Sequence, residues 1–239
     1  MTLLTLVRHG ETDWNRARRI QGSTDIPLND TGRAQARATA ERLRTRLDPA
    51  APVVVVSSDL SRARETAEII AATLGVAAPR VYPQLRERAY GEAEGVDSAE
   101  FLERWGDWHS AEIPSAEPWP EVRARALAAL RQIADDVRRT TAPASASVIA
   151  VAHGALIREL IRHATGGELP PVGFRLPNGS TYDILLERDR LRLLSDVGPD
   201  AAADTAADDD ETATETETET EAEAEAAADP ATETRATAR

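Results

Sequence analysis

The chain places an arginine and a histidine directly after its first strongly apolar segment. Residues 3–7 are nearly all apolar, which is typical of a buried strand, and Arg8 and His9 follow at once. In open α/β sheets, ligands bind at the carboxyl ends of the strands. A permanently charged guanidinium beside a nucleophilic imidazole nitrogen suits an anionic substrate, and phosphate above all. The sequence therefore predicts that Arg8 and His9 bind a phosphate group at this strand end.

A second histidine shares the context of His9. His153 follows the apolar residues 148–152 and precedes a glycine, as His9 does. If the two strands are neighbours in the sheet, the two imidazoles face each other across one pocket. Two unrelated histidines at strand ends are the plainer explanation, but the matched pair favours a shared site. The other histidines, His109 and His163, have no such context and are interpreted as structural or surface residues.

Two further residues are candidates for chemistry in this pocket. Arg62 lies in the first turn of a predicted helix that follows a short apolar run, and backbone N–H groups favour anions there. Its position singles it out among the arginines, and Arg64 in the same helix is the natural control. Glu87 lies in a predicted loop, where it and its acidic neighbours could equally be solvated. A carboxyl group held near a phosphoryl anion would have its pKa raised and could protonate a leaving oxygen.

Apolar periodicity alternates between strands and helices along most of the chain. The predicted strands are 3–7, 53–56, a short one from residue 81, 148–152, and a closing hairpin of 181–186 with 191–194. The predicted helices are 31–47, 60–74, 99–108, 121–139 and 155–164. This alternation indicates an α/β fold with three layers, α/β/α, and a mostly parallel central sheet.

The composition changes at about residue 199. Residues 200–239 hold 14 of the 41 acidic residues and 2 of the 28 basic residues, so residues 1–199 have a net charge of −1. The Thr-Glu and Ala-Glu alternation there lacks branched apolar and aromatic residues and cannot bury enough surface to offset its ordering entropy. We therefore predict a folded domain over 1–198 and a disordered acidic tail over 199–239. The tail is interpreted as a solubilising extension or as a segment that repels anions from the pocket.

The composition also excludes several classes of function. The chain has no cysteine, which excludes disulfides and thiolate chemistry, and no lysine, which excludes Schiff bases and a Walker-type phosphate loop. It shows no signal peptide and no apolar run of 18 residues, so we expect a cytoplasmic protein without a membrane partner. No basic stripe is interleaved with aromatics, so no nucleic-acid partner is expected. The sequence gives no indication of an oligomeric state.

Five motifs in a fixed order make residues 1–196 resemble the histidine phosphatase superfamily, in its phosphoglycerate mutase-like branch. The motifs are Arg8-His9-Gly10-Glu11-Thr12 with Asn15, Gln21-Gly22, Ser57-Ser58-Asp59-Leu60-Ser61-Arg62, Glu87 with Tyr90-Gly91, and His153-Gly154. One motif alone would be weak support for a resemblance, but five in this order and spacing are specific.

The resemblance implies a role for each matched residue. His9 would be the nucleophile that carries the phosphoryl group, and Glu87 would be the proton donor and acceptor. Arg8, Arg62 and His153 would surround the transferring phosphoryl group and stabilise its charge. The matched positions that would line the substrate pocket are Asn15, Gln21, Gly22, Tyr90 and Gly154. The resemblance implies no metal and no organic cofactor, and the expected partner is a small phosphomonoester substrate.

The sequence favours hydrolysis over phosphoryl transfer between hydroxyl groups. Glu87 and His153 are 66 residues apart, which is short compared with the mutases of this family. In residues 92–121 Arg104 is the only basic residue, so we expect the pocket to suit a doubly anionic substrate poorly. The residues after His153 are Gly-Ala-Leu and not the Gly-Asn-Ser typical of mutases, whereas the loop 87–91 resembles the mutase version.

We therefore expect a metal-independent phosphomonoester hydrolase that acts through a phosphohistidine on a small phosphorylated metabolite. A cofactor-dependent phosphoglycerate mutase is the alternative. A non-catalytic phospho-ligand binding protein is a third hypothesis, and the complete set of five catalytic residues argues against it. Trp105, Trp108 and Trp119 form either an apolar wall of the pocket or part of the core.

Overall fold

A six-stranded sheet forms the centre of the computed structural model, which describes residues 1–108, 110–188 and 190–195. The strands are β1 (Thr2–Arg8), β2 (Val53–Ser57), β3 (Arg80–Val81), β4 (Ser147–Ala152), β5 (Thr181–Leu186) and β6 (Leu191–Leu193). Their order is β3-β2-β4-β1-β5-β6. The first four strands are parallel, and β5 and β6 add an antiparallel edge, so the predicted mostly parallel sheet and the closing hairpin are confirmed.

All five predicted helices are present, with ends that differ by a few residues, and a short helix over 13–16 adds to them. In chain order the helices are α1 (Asp13–Arg16), α2 (Asp30–Arg46), α3 (Ser61–Leu74), α4 (Ser98–Trp105), α5 (Trp119–Thr141) and α6 (Gly154–Ala164). Asn29 caps α2 by accepting the N–H of Gly32, and Gly75 ends α3 with φ of 70°. Helix α4 ends before the predicted residue 108 because Gly106, with φ of 75°, turns the chain away.

Side chains on the two faces of the sheet pack against different helices, which creates the three predicted layers. In β4, Ile149 and Val151 belong to a cluster with α2 and α3. The alternate residues Val148, Ala150 and Ala152 belong to the larger cluster, which contains α5 and α6. Successive side chains of a strand point to opposite faces, so a wholly apolar strand such as β4 is buried on both sides. The α/β/α fold is therefore confirmed.

The pairing of β1 with β4 brings the two histidine motifs together. Arg8 is in register with Ala152, and the N–H of His9 donates to the carbonyl oxygen of Ala152 at 3.0 Å. His9 and His153 are therefore the first residues beyond two paired strand ends. The condition on which the sequence argument depended, that these strands are neighbours, is met.

Some predictions fall on residues that the structure does not describe. The acidic tail over 199–239, the domain boundary at 198, and His109 lie outside the described residues. His163 is exposed on α6, as expected for a surface residue. Within the described ranges, no helix is both long enough and apolar enough to cross a bilayer.

Candidate active site

A cavity of about 430 Å³ lies at the carboxyl ends of the parallel strands. Nine of the ten residues singled out from the sequence line it, and the tenth, His153, is fully buried beside His9. The nine lining residues are Arg8, His9, Asn15, Gln21, Gly22, Arg62, Glu87, Tyr90 and Gly154. The fold therefore assembles residues from five separate motifs in one place.

His9 is held in a single tautomer. Its Nδ1 lies 2.7 Å from the carbonyl oxygen of Gly10, and because a carbonyl oxygen can only accept, Nδ1 carries the ring proton. Burial, together with the positive charges of Arg62 and Arg8, lowers the pKa of His9 well below its ordinary value of 6.5. His9 is therefore neutral near pH 7 with an unprotonated Nε2, which is the form that a nucleophile requires.

His153 is also buried and neutral. Its ring centroid lies 5.2 Å from that of His9, and its Nε2 lies 2.7 Å from the Oγ of the fully buried Ser58. Burial, and then the charge of Arg62, lowers the pKa of His153 well below 6.5. Its Nδ1 is buried and has no hydrogen-bond partner among the described residues. One polar atom of His153 is therefore left for a group that enters the site.

Two buried guanidinium groups lie beside the histidines. Arg62 donates from Nη1 and Nη2 to the carbonyl oxygens of Thr24 and Gly22, both at 2.8 Å, and Arg8 donates to the carbonyl oxygen of Leu176. Burial lowers the pKa of Arg62, and lowers that of Arg8 to about 10. The Nε atoms of both are buried without a partner in the described part of the chain. Buried cations with unused donors bind an anion strongly.

Glu87 holds its carboxylate against the N-terminus of α6. Its Oε2 accepts the N–H of Ala155, and its Oε1 accepts those of Leu156 and Arg88, each at 3.0 Å. The N-terminus of a helix carries partial positive charge and unpaired N–H donors, so it orients a carboxylate well. Because Glu87 also lines the cavity, this orientation keeps a proton-transfer group at the site.

Arg125 fixes the backbone of the segment that carries Glu87, and the sequence analysis missed it. Its guanidinium pairs with Glu117 at 2.6 and 2.8 Å and donates to the carbonyl oxygens of Gln84, Arg86 and Glu87. All of the donor atoms of the side chain are therefore used. Arg125 lies 38 residues after Glu87 in the long amphipathic helix α5, so no local sequence pattern links it to the Glu87 segment.

Asn178 is a second residue that sequence reasoning missed. Its Nδ2 donates to the carbonyl oxygen of His9 at 2.9 Å and to the Oδ1 of Asn15 at 3.3 Å. The same Oδ1 accepts the N–H of Thr12, so the amide of Asn15 is oriented by two neighbours. Asn178 precedes β5, whose antiparallel pairing with β1 returns the chain to the end of β1. A prediction that β5 pairs with β1 would have placed Asn178 beside His9.

Glu94 supports the loop that carries Gln21 and Gly22. Its carboxylate accepts hydrogen bonds from the backbone and side chains of Ser23 and Thr24. Burial alone would raise the pKa of Glu94, but these hydrogen bonds outweigh burial and lower it. Glu94 is therefore a structural anchor for the loop, and it is not the solvated side chain that the sequence left open.

The three tryptophans divide between the two interpretations. Trp108 and Trp119 line the cavity, while Trp105 packs against Phe101 at a ring distance of 5.5 Å. Trp108 also stacks on Phe101 at 3.9 Å. The apolar wall and the small apolar core beside the cavity are therefore continuous.

The cavity contains more cations than the sequence analysis expected. Arg104 remains the only basic residue of 92–121 and does not line the cavity. Four arginines from other segments do line it, namely Arg18, Arg19, Arg158 and Arg175. The basic residues of 92–121 alone therefore do not describe the charge of the cavity, and its suitability for a doubly anionic substrate stays a prediction. That prediction depended on one segment, whereas the fold brings cations from the turn after α1, from α6 and from the loop before β5.

Comparison with known proteins shows the family of this chain. Residues 4–196 match the family described as the histidine phosphatase superfamily (branch 1). The chain belongs to this superfamily. It is 36% identical over 193 residues to the uncharacterized phosphatase PhoE of Bacillus subtilis, covering 81% of this chain and 93% of that protein.

Two further relatives carry more specific names. A metal-independent phosphoserine phosphatase of Arabidopsis thaliana is 38% identical over 174 residues, or 69% of each chain. The structure of a mycobacterial glucosyl-3-phosphoglycerate phosphatase in complex with VO3 is similar with a TM-score of 0.69 and 30% identity, covering 83% of this chain and all of that one. The curated relatives also include proteins named probable phosphoglycerate mutases. The superfamily resemblance inferred from the motifs is confirmed.

The described residues contain no group of three or more His, Asp or Glu side chains placed to hold a metal ion. Glu87 of the cavity lining accepts backbone N–H groups, and Glu94, which supports the loop 21–24, accepts the Ser23 and Thr24 donors. The lining supplies cationic and neutral N–H donors together with the hydroxyl groups of Tyr90 and Ser98, and such donors suit an anion.

We expect Gly10→Ala to damage the site. A Cβ at residue 10 would lie 2.3 Å from the carbonyl oxygen of Gly32, so the loop after His9 would have to shift, at a cost of about 1–3 kcal/mol. Both the Tm and kcat should fall. Gly75→Ala is the control for kcat, because a Cβ there meets nothing within 4 Å and only the strain of a left-handed backbone, about 1–2 kcal/mol, lowers its Tm. Unchanged kcat in Gly10→Ala would contradict the close packing of this loop.

The buried histidines should make the protein less stable in mild acid. Below pH 6.5 the histidines of the unfolded chain bind protons, whereas His9 and His153, with lowered pKa values, do not. The free energy of unfolding should therefore fall with decreasing pH by about 1.4 kcal/mol per pH unit for each histidine. Denaturant titrations between pH 6.5 and 5 measure this slope. His9→Asn/His153→Asn should reduce it, and His163→Asn should not; equal slopes in all three proteins would refute the explanation.

Proposed function

We propose that this chain is a metal-independent phosphomonoester hydrolase that forms a phosphohistidine on His9. The observation that carries the proposal is the state of His9, which is neutral, with Nδ1 bound to the Gly10 carbonyl and Nε2 unprotonated in a cavity lined by cations. A neutral imidazole among arginines is prepared to attack a phosphorus atom whose oxygens those arginines hold.

In the first step, Nε2 of His9 attacks the phosphorus atom and the bond to the leaving oxygen breaks. Arg8 and Arg62 donate N–H groups to the oxygens of the transferring phosphoryl group, and Nδ1 of His153 is the further donor. Glu87 in its acid form gives its proton to the leaving oxygen, so the product departs as an alcohol. The products of this step are phospho-His9, the alcohol and the Glu87 carboxylate.

In the second step, a water molecule replaces the alcohol. The Glu87 carboxylate takes a proton from the water while its oxygen attacks phosphorus and the phosphorus–nitrogen bond breaks. Inorganic phosphate leaves, His9 regains its lone pair and Glu87 is again protonated. Asn15, Gln21, Gly22, Tyr90 and Gly154 line the cavity around this reaction. We propose that they contact the substrate.

A second function, phosphoglycerate mutase activity, uses the same first step and a substrate hydroxyl in place of water. Relatives with that name and the four additional cavity arginines favour it. The similar solved structure named as a phosphatase, and the Gly-Ala-Leu segment after His153, favour hydrolysis.

A single assay separates the two functions. The full-length protein is incubated in chelator with 3-phosphoglycerate and a trace of 2,3-bisphosphoglycerate, and free phosphate and 2-phosphoglycerate are measured in the same sample. p-Nitrophenyl phosphate is assayed in parallel. Phosphate release from either compound without isomer formation supports the hydrolase, and rapid isomer formation with little phosphate overturns it in favour of the mutase.

A further inference from the structure

Ser58 is a fully buried residue at the site that takes no direct part in the proposed reaction. It follows β2, and its Oγ lies 2.7 Å from Nε2 of His153. The same Oγ accepts the N–H of Leu60 at 3.3 Å. The backbone N–H of Ser58 donates to the carbonyl oxygen of Val151 at 3.1 Å, so the end of β4 fixes the position of Ser58 beside His153. The place of the hydroxyl therefore does not depend on the hydrogen bonds of the side chain.

The hydroxyl of Ser58 favours one of the two neutral tautomers of His153. If Nε2 carries the ring proton, it donates to Oγ, and both the Ser58 O–H and the bare Nδ1 lack a partner among the described residues. If Nδ1 carries the proton, Ser58 donates to Nε2, and Nδ1–H is the one group left without a described partner. Each unpaired buried polar group costs free energy, so the tautomer protonated on Nδ1 is the more stable.

The charges around His153 favour the same tautomer. Burial, and then the charge of Arg62, keep the pKa of His153 well below 6.5, so a doubly protonated ring is excluded near pH 7. Within the described ranges, Nδ1 is the ring nitrogen of His153 that has no protein partner. A bare Nδ1 would present a lone pair to an anion bound by Arg62, and the two would repel each other, whereas Nδ1–H is a donor to that anion.

His9 and His153 then share one tautomer and use it in opposite ways. The carbonyl oxygen of Gly10 accepts Nδ1–H of His9, which leaves the bare Nε2 as the nucleophile. The hydroxyl of Ser58 donates to Nε2 of His153, which leaves Nδ1–H as a donor. A carbonyl oxygen can only accept, whereas a hydroxyl group can also donate. The partner of each ring therefore decides whether it offers a lone pair or a proton to the site.

We propose that Ser58 is a positioning residue that places the ring proton of His153 on Nδ1, as a donor to the transferring phosphoryl group. The tautomer follows from Ser58 and His153 alone, whereas donation to a phosphoryl group rests on the proposed function. Without the hydroxyl, Nε2 has no donor among the described residues and can hold the ring proton itself. Nδ1 then loses its proton, and the transition state loses one of its donors.

Nitrogen chemical shifts of histidine rings report the tautomer directly, and the chain has only four histidines to assign. Nitrogen-labelled full-length wild-type protein near pH 7 should show His153 with Nδ1 protonated and Nε2 unprotonated, and His153→Asn identifies these signals by their loss. Inorganic phosphate should move the Nδ1 proton downfield, as a hydrogen bond to an anion does. A wild-type His153 protonated on Nε2 would overturn the inference, even if Ser58→Ala failed to fold. Phosphate that binds by calorimetry without moving this proton would overturn the donor role.

Ser58→Ala should change both the tautomer and the kinetics. The ring proton of His153 should move toward Nε2, because Nε2 loses the donor that keeps it bare. With p-nitrophenyl phosphate, kcat should fall by about 10-fold and KM should change less, because the lost donor acts on the transition state. A folded Ser58→Ala protein that keeps the proton on Nδ1 and retains its kcat would overturn the inference.

Ser57→Ala is the matched control. Ser57 is the preceding residue and is also fully buried, but its Oγ has no hydrogen-bond partner in the described part of the chain. The variant loses the same hydroxyl group from a neighbouring buried position, so it should keep Nδ1 of His153 protonated and keep kcat within about 2-fold of wild type. Equal losses of kcat in the two variants would mean that the effect is structural and would overturn the positioning role.

The wild-type spectrum and wild-type turnover together separate this inference from the proposed function. A protein that releases phosphate while His153 is protonated on Nε2 would keep the hydrolase and overturn the role of Ser58. A protein with His153 protonated on Nδ1 that releases no phosphate from any phosphomonoester would keep the tautomer and overturn the hydrolase.

Discussion

Replacing His9 with alanine is expected to abolish turnover and to leave no phosphorylated form of the protein. The imidazole supplies the only nucleophile in the account, and removal of a nucleophile costs at least about 10³-fold in kcat. No neighbour substitutes for it, because His153 is turned to Ser58 and its free atom is the ring nitrogen that is proposed to donate a proton. Initial rates with p-nitrophenyl phosphate and the yield of acid-labile label measure the two losses.

His163→Ala is the matched control, since this histidine is exposed on α6. It should retain both the activity and the label. The Tm of His9→Ala shows whether the variant is folded. A folded His9→Ala protein that still hydrolyses substrate and still carries an acid-labile phosphoryl group would refute the role of His9.

Glu87→Gln is expected to separate the two steps of the reaction. An alkyl phosphate needs a proton on its leaving oxygen, so kcat should fall by about 10²–10⁴-fold. p-Nitrophenolate is a much weaker base than an alkoxide and leaves without that proton, so a rapid burst of p-nitrophenolate should persist. The following hydrolysis lacks its base and should be slow. The variant should therefore accumulate phospho-His9, which stopped-flow absorbance and a quenched label both detect.

The glutamine keeps one oxygen to accept the N–H groups of Ala155 or Leu156, so the loop should stay in place. Glu92→Gln is the control, because Glu92 lies in the same loop and is exposed. If Glu87→Gln loses the burst with p-nitrophenyl phosphate as well as its turnover, Glu87 positions the site and does not transfer the proton.

The parts of the site that were predicted from the sequence depend on local patterns. His9 and His153 each follow a short apolar strand, and the parallel pairing of β1 with β4 converts that shared pattern into proximity. Arg62 was found because it lies in the first turn of a helix after another such strand. In a parallel sheet, strand ends and helix starts are local features that define one edge, so position in the chain predicts position in space.

The parts that were missed depend on contacts between distant segments. Arg125 lies in the middle of α5 and reaches the carbonyl oxygens of the Glu87 loop, while Asn178 reaches His9 only through the return of β5 beside β1. The excess of cavity cations arises in the same way, since Arg18 and Arg175 come from separate irregular segments. Apolar periodicity does not encode where irregular segments meet, so these residues have no signature in the sequence.

Trapping the intermediate is the decisive test of hydrolysis through phospho-His9. Full-length protein in chelator is mixed with saturating p-nitrophenyl phosphate, quenched in alkali at short times, and mapped by peptide mass spectrometry. We expect one phosphoryl group per chain on His9, formed at least as fast as phosphate is released. Phosphate release with no modified His9, or a modification that forms more slowly than turnover, would contradict hydrolysis through phospho-His9.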